Sequence, residues 1–405
     1  MSRRGVAVIA AGFCTLFIAF GIRYSYGLIL PYMLTSLGIS KTEAGMIFSA
    51  YFVTATSLSP FFGFLCDRLD SKHILTIFVA ILGIGALLMS QASSVLQAAL
   101  FFAVAGIGHS ACWAPVVTVV MRWVKPQQRG FSVSVVDLGT TVGIATWSLL
   151  IPVIIANGGW QAVWVWLGIT ALAVAALNFL CIKSHPPTPA IPQPAAQPAG
   201  PAPSLRDTAK TIFRNDRFYL IGFSYLLISF SILIPFTFMT SFAIQNLTLG
   251  YAVASGLLVV IAASGAIGKL ALAYLSDRTG RIKIMMLCGL LTATGAALMA
   301  YANGFAALLA AAVFFGIGYG SLWAIYAASA RDLFDKQCAG AIIGLWTLFH
   351  GVGSVFSPIL GGWLIDTTGG YYWAFMLAVA SSLLASLILL PLLRTEAMVR
   401  AEAMA

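Results

Sequence analysis

GKLALAYLSDRTGRIK, Gly268 to Lys283, is the stretch on which the fold turns. Its first half closes an apolar helix that carries a single lysine, Lys269. Its second half is a short turn dense in charge: Asp277, Arg278, Arg281 and Lys283. The same turn occurs earlier as GFLCDRLDSK, Gly63 to Lys72, so Asp67-Arg68 and Asp277-Arg278 stand 210 residues apart (277 − 67). The offset recurs. Gly106-Ile107-Gly108 matches Gly316-Ile317-Gly318, Trp113 matches Trp323, Gly130 matches Gly340 and Gly143 matches Gly353. A fixed offset over so many positions means two copies of one unit. The period is too long for a solenoid, so each copy is a whole half-protein.

Composition sets the solvent around these copies. Of 405 residues, 60% are hydrophobic and only 8% charged, against roughly 25% charged in an average soluble domain. Apolar runs of about 20 residues recur along the chain, each long enough to cross a bilayer. In lipid the backbone must satisfy its own hydrogen bonds, so such runs are helices. They do not alternate polar and apolar positions, which excludes a membrane barrel. The net charge of +10 does not indicate nucleic acid, because Lys and Arg gather in alternate short loops and in the tails. Arg3-Arg4 and the long run after them read as a first span, not as a cleaved signal. Six scattered cysteines without a CxxC pair imply neither a disulfide framework nor a zinc site.

Twelve spans are expected, near 6–31, 44–65, 73–91, 97–121, 130–155, 160–182, 218–245, 251–275, 283–302, 305–330, 339–364 and 371–393. Arg68, Lys72, Lys125, Arg129, Arg278, Arg281, Lys283, Arg331 and Lys336 fall in loops on one face, and Lys41 on the other. The basic loops and both termini are therefore expected in the cytoplasm, and the chain in the inner membrane. PPTPAIPQPAAQPAGPAPS, Pro186 to Ser204, reads as a stiff extended linker. The segment to Arg217 suits the anionic leaflet, with Ser204 able to cap a short helix. The expected organisation is a six-helix half over 1–183, a Pro/Ala-rich linker over 184–217 and a second half over 218–405. Asn157-Gly158-Gly159-Trp160 and Thr368-Gly369-Gly370-Tyr371 read as tight turns on the opposite face, with Trp160 and Tyr371 at the interface.

Two six-helix repeats joined by a cytoplasmic linker have the anatomy of an alternating-access transporter. Here the chain resembles the major facilitator superfamily. GFLCDRLDSK and AYLSDRTGRIK are similar to its cytoplasmic loop motif, in which a glycine precedes Asp-Arg by four residues. Gly63 matches that glycine; Ala273 replaces it in the second copy, and Asp70 stands where the motif has glycine. The resemblance implies an all-α membrane protein of twelve transmembrane helices in the major facilitator fold. It also implies that Asp67, Arg68, Asp277 and Arg278 gate the cytoplasmic side. The plainer reading of the same residues is a helix-ending turn with snorkelling cations.

Ionisable residues inside spans are costly, roughly 2.5–3.5 kcal/mol for a cation on insertion scales, and normally face a polar cavity. The spans hold Arg23, Lys269, Asp137, His109 and His350. Two cations, one acid and two histidines leave the interior short of negative charge, which an anionic substrate would supply. Each residue also has a plainer reading. Lys269 and Arg23 can snorkel to opposite interfaces. Asp137 can pair with Arg122 or Arg129, and His109 can be a packing histidine. Tyr24, Tyr26, Trp113, Tyr225, Trp323, Tyr326 and Trp346 offer rings to a cavity, although most aromatics in a bundle only pack. Gly139, Gly143, Gly353 and Ser354 suit close helix contact.

At these positions the chain is similar to the monocarboxylate transporters and the oxalate/formate antiporters. GIRYSYGLILP, Gly21 to Pro31, resembles their Gly-x-x-Tyr-x-aromatic-Gly pattern. RWVKPQQRGFSVSVVDLGTTVG, Arg122 to Gly143, resembles their Arg-Trp…Arg-Gly…Gly-x-x-x-Gly segment. These families place a carboxylate-binding arginine eight residues before the loop Asp, and Lys269 fills that place. Where the antiporters carry a lysine before a glycine, this chain has His350 before Gly351. Lysine is a point charge where arginine is a planar fork. Histidine can take up a proton near physiological pH, an unperturbed one at about 6.5. The acidic glycine-tryptophan signature ahead of the first span is missing.

The resemblance implies a secondary transporter of a small organic anion, a monocarboxylate above all, by proton symport or anion exchange. Lys269, Arg23, His350, Tyr24 and Tyr326 are the expected substrate contacts, with His350 and Asp137 as proton-coupling candidates. Uptake is then expected to rise as external pH falls. No metal or cofactor is expected, and a monomer is. The alternative within transport is multidrug or cation efflux, which favours buried acids, of which there is only Asp137. Paired carboxylates, a metal-spaced His cluster and a nucleophile motif are lacking, which argues against an enzyme. A sensor would be expected to carry a signalling domain, and the longest soluble segment is the linker.

Overall fold

The computed structural model describes residues 3–65, 70–125, 128–183, 212–334, 338–393 and 396, with the side chains of 3 and 63–65 left out. Asp67, Arg68, Lys336 and the Pro186–Ser204 linker lie outside the described residues. The described chain forms α1 Arg3–Leu37, α2 Lys41–Leu65, α3 Ser71–Met89, α4 Val95–Ser110, α5 Trp113–Trp123 and α6 Arg129–Cys181. It continues as α7 Asp216–Gln245, α8 Tyr251–Thr279, α9 Arg281–Ala300, α10 Phe305–Leu333, α11 Ala339–Thr368 and α12 Tyr372–Leu387.

Among the described residues, ten stretches are long and apolar enough to cross a membrane, with α4 and α5 counted as one and α6 as one. The 53 residues of α6 are two spans, broken where Gly159 takes φ 73° and ψ −178°, a left-handed region open to glycine. This is the expected Asn157–Trp160 turn. The other, Thr368–Tyr371, closes α11 with Gly369 in the left-handed conformation. The last apolar helix, α12, has 16 residues and completes twelve spans. The fourth span departs from a single helix. It turns at Ala111 and Cys112 between α4 and α5, where Pro115 has no N–H to return to the Ala111 carbonyl.

Two groups of helices follow the repeat. In the first, α1 packs on α6, α2 on α4, and α3 on α4 and α6. In the second, α8 packs on α10, α9 on α10 and α12, and α7 on α11 and α12. Small residues bring the members close. A side chain at Gly139 or Gly143 would strike the backbone of Phe13 or Phe17 on α1, the close contact expected of small-residue faces. Three seams join the groups: α1 with α7, α2 with α11, and α6 with α8.

The seams are sealed toward the face opposite the basic loops. Asp366 of α11 accepts from the Thr42 N–H at 2.8 Å and the Lys41 N–H at 3.2 Å, capping α2 across the groups. Ser49 donates to the Val355 carbonyl at 2.5 Å, and Tyr251 to the Leu28 carbonyl at 2.9 Å. Gly27 lies against the Phe236 carbonyl with no room for a side chain.

Toward the basic face, α8 and α9 meet in a charged corner inside the second group. Arg281 pairs with Asp277 at 2.5 Å and Asp332 at 2.8 Å, and it donates to Ser276 at 2.6 Å. The Glu396 carboxylate accepts from the backbone N–H groups of Arg281 and Ile282. Arg278 stacks over Tyr274 at 4.4 Å.

Candidate functional site

The site is built where the α1–α7 seam meets α10 and α11. Arg23 projects from the middle of α1 and is only 8% exposed. It does not reach an interface, as a snorkelling cation would. Its guanidinium lies 4.7 Å from the Phe52 ring centroid, 5.1 Å from Tyr24 and 5.7 Å from Phe20. Aromatic faces favour a cation by about 0.5–2 kcal/mol each. They do not satisfy hydrogen bonds, and Nε and Nη2 are buried without a partner. No ion pair joins Arg23 to a carboxylate among the described residues. A buried unpaired cation is costly in any apolar medium.

His350 faces the same region from α11. It is 6% exposed, with its ring 4.6 Å from Trp323 and 5.0 Å from Tyr225. Its Nδ1 lies 3.2 Å from the Ser354 hydroxyl, while Nε2 is buried and unpartnered. Ser354 thereby orients the ring rather than only narrowing the helix. Trp323 in turn lies 6.5 Å from Tyr319. Tyr24 closes the gap between the groups: its hydroxyl is 2.9 Å from that of Tyr319, and its ring lies tilted against Phe236, 4.3 Å between centroids. One side of the bundle thus offers a guanidinium and the other an imidazole, each with an unused buried nitrogen.

The remaining sequence candidates divide. Tyr326 stacks on Tyr225 at 4.3 Å, but its hydroxyl is engaged by Ser224 at 2.7 Å. It reaches the site as a wall. Tyr26 packs between Phe48 and Phe102 and donates to the Ala44 carbonyl at 2.6 Å. Trp113 is exposed, and Trp346 donates its indole N–H to the Phe218 carbonyl at 2.9 Å. Neither joins the Arg23 cluster. His109 lies against Phe20 and Tyr51, and its Nδ1, like Nε2 of His350, is buried and unpartnered.

Lys269 and Asp137 are brought together, and their pairing differs from the expectation. Lys269 neither snorkels nor stands beside Arg23, and Asp137 does not take Arg129, whose Nε donates to the Met121 carbonyl. The lysine and the aspartate form an ion pair across the α6–α8 seam, with 23% and 21% of their side chains exposed. Gly139 sets the level, because it packs on Phe13. Arg23 is ten residues further along α1, so the ion pair lies about 15 Å nearer the basic face at 1.5 Å per residue. Arg23 with His350, and Lys269 with Asp137, therefore form two stations, not one ring.

Sequence reasoning missed Tyr319, Phe52 and Phe236. For Tyr319 a signal existed: it occupies the place of His109 in the second copy (319 − 109 = 210), directly after the repeated Gly-Ile-Gly. Phe52 and Phe236 carry no such mark, since a phenylalanine in an apolar helix looks the same whether it faces lipid or a cation.

Comparison with known proteins places this arrangement among others. The sequence profile of the Major Facilitator Superfamily matches residues 12–283 and 257–403. The hexuronate transporter of Bacillus subtilis is 26% identical over 92% of this chain and 90% of its own length. The probable sulfoacetate transporter SauU of Cupriavidus necator is 24% identical over 94% and 92%. Monocarboxylate transporter 12-B of Danio rerio is 22% identical over 70% of this chain and 65% of its own length. A bacterial homologue of the lysosomal transporter Spinster, crystallised inward-facing and unoccupied, superposes with a TM-score of 0.81 at 16% identity, covering 98% of this chain and 99% of that one. The nucleoside transporter NupG does so with a TM-score of 0.74 at 16% identity, covering 96% and 99%.

Proposed function

Because this chain belongs to the major facilitator superfamily, we propose that it is a secondary transporter of a small organic anion, with a monocarboxylate as the fitting class. The observation that carries the reading is Arg23, a buried cation between the two helix groups whose Nε and Nη2 lack partners. A carboxylate would accept from both in the fork geometry that arginine favours. His350 offers a further nitrogen from the opposite group. A bound anion would thus draw the groups together. Relatives named for a hexuronate, a sulfoacetate and a monocarboxylate support an organic anion.

In this reading the two bodies are residues 1–183 and 218–405, joined by 184–217, and they rock about the site. The basic loops and both termini face the cytoplasm, in the inner membrane. Arg23, His350 and Tyr24 contact the anion, Tyr326 walls the site and Lys269 forms a second station. His350 and Asp137 are the groups through which proton symport would be coupled; anion exchange is the other mode. Asp67, Arg68, Asp277 and Arg278 form the cytoplasmic gate. Cation efflux is disfavoured because Asp137, the acid expected inside the spans, is engaged by Lys269.

Uptake of lactate, pyruvate and formate into proteoliposomes, set against a lipophilic cation, tests the reading. Carboxylate uptake that Arg23→Gln abolishes supports it. Cation transport without carboxylate transport overturns it.

A further inference from the structure

Two more polar atoms stand open near Arg23, and both belong to the first group. Tyr51 of α2 is wholly buried, and its hydroxyl has no partner. The ring of His109 on α4 lies 5.5 Å from that of Tyr51, and its Nδ1 is buried and unpartnered too. Two phenylalanines tie this pair to the guanidinium. The Phe20 ring is 5.3 Å from His109 and 5.7 Å from Arg23. The Phe52 ring is 5.5 Å from Tyr51 and 4.7 Å from Arg23. Helices α1, α2 and α4 thus bring a guanidinium, a phenol and an imidazole together. The second copy does not repeat the trio. The offset of 210 carries Arg23 to Leu233, Tyr51 to Ile261 and His109 to Tyr319, and the Tyr319 hydroxyl is already matched with that of Tyr24. From the second group His350 stands against the rings of Tyr225 and Trp323.

We propose that the transported anion is a short hydroxy acid: Arg23 takes its carboxylate, and Tyr51 and His109 read its hydroxyl. The proposal rests on the anion reading above and narrows its substrate class. A carboxylate on Nε and Nη2 of Arg23 leaves Tyr51 and His109 unserved. A plain aliphatic acid brings them only methylenes, and a buried polar atom left unpaired is costly. A hydroxyl both donates and accepts, so it satisfies Nδ1 in either tautomer of the imidazole and the phenol in either role. A keto oxygen only accepts, and it serves Nδ1 only when that nitrogen carries the proton. The asymmetry between the groups also orients the ligand. Its polar edge lies on the first group, and its C–H face lies under the Tyr225 and Trp323 rings of the second.

Thermal unfolding of the full chain in lipid nanodiscs, titrated with L-lactate, D-lactate, 3-hydroxypropionate and propionate, tests the proposal. The four acids share one carbon skeleton and differ only in a hydroxyl and its position. A pocket without partners for the hydroxyl rejects it, because burying one unpaired is unfavourable, and propionate then binds best. The proposed site reverses that order. The best hydroxy acid should bind about tenfold more tightly than propionate, at the low end of the cost of an unpaired buried group. Tyr51→Phe and His109→Leu should each bring this ratio close to one. His109→Asn keeps a donor and an acceptor near the Nδ1 position and should restore part of it. A residue with a structural role alone would weaken all four acids together and leave the ratio where it was. Propionate bound as tightly as every hydroxy acid, or a ratio that survives both substitutions, overturns the proposal. The wild-type ratio needs no substitution, so a variant that fails to fold does not leave the matter undecided. Stabilisation by propionate without a hydroxy-acid preference keeps the anion reading and removes the hydroxyl site; a wild type that none of the four acids stabilises overturns both.

Discussion

Replacing Arg23 with methionine should raise the stability of the empty protein and abolish its response to carboxylates. The signs follow from the site. Nε and Nη2 are buried without partners, and a buried unsatisfied donor costs about 1–3 kcal/mol, more on a charged group. The three rings around the guanidinium return about 0.5–1 kcal/mol each, and up to 2 when desolvated. At mid-range the two donors cost about 4 kcal/mol and the three rings return about 2, which leaves Arg23 destabilising by about 2 kcal/mol until an anion arrives. Methionine fills much of the same space against the rings with no donor to satisfy. Binding moves the other way. Two hydrogen bonds to a charged group, at about 1.5–3 kcal/mol each, correspond to a loss of about 10²- to 10⁴-fold in affinity. Thermal unfolding of purified protein against a pyruvate titration reads both effects in one experiment. Arg23→Lys should fall between, keeping the charge but losing the planar fork. An Arg23→Met protein that retains the wild-type response to pyruvate would refute the assignment of the site.

Other perturbations separate the parts of the mechanism. Asp366→Asn weakens the cap on the α2 N-terminus, a loss of about 1 kcal/mol; a cysteine in the central cavity should become more reactive to an impermeant thiol reagent added on the face opposite the basic loops. Gly27→Ala places a methyl group against the Phe236 carbonyl and should shift the same labelling in the same direction, with loss of transport. Tyr319→Phe removes the hydroxyl contact with Tyr24 at a cost of about 1 kcal/mol, visible as a modest rise in the same accessibility with substrate affinity changed little. His350→Gln should weaken carboxylate stabilisation and flatten the pH response of uptake while exchange of anion for anion partly persists; a wild-type pH profile would move the coupling role to Asp137.

The sequence by itself determined the membrane, the twelve spans and the twofold repeat. These depend on composition and on local period, and apolar length plus backbone self-satisfaction admits few folds. The turns at Gly159 and Gly369 were legible for the same reason, since a reversal between two apolar runs needs glycine or its like. The ionisable residues were legible as a set because charge in lipid is rare. Their pairing was not. Asp137 stands eight residues from Arg129 in sequence and 132 from Lys269, yet it pairs with the distant residue because helix rotation and seam packing point it across the groups. The same holds for Tyr24, whose partner Tyr319 is 295 residues away. Which aromatic rings face a cation and which face lipid is likewise a matter of helix phase, which a uniformly apolar helix does not record. Only the packed bundle decides that Arg23 stands with His350, and that Lys269 stands apart with Asp137.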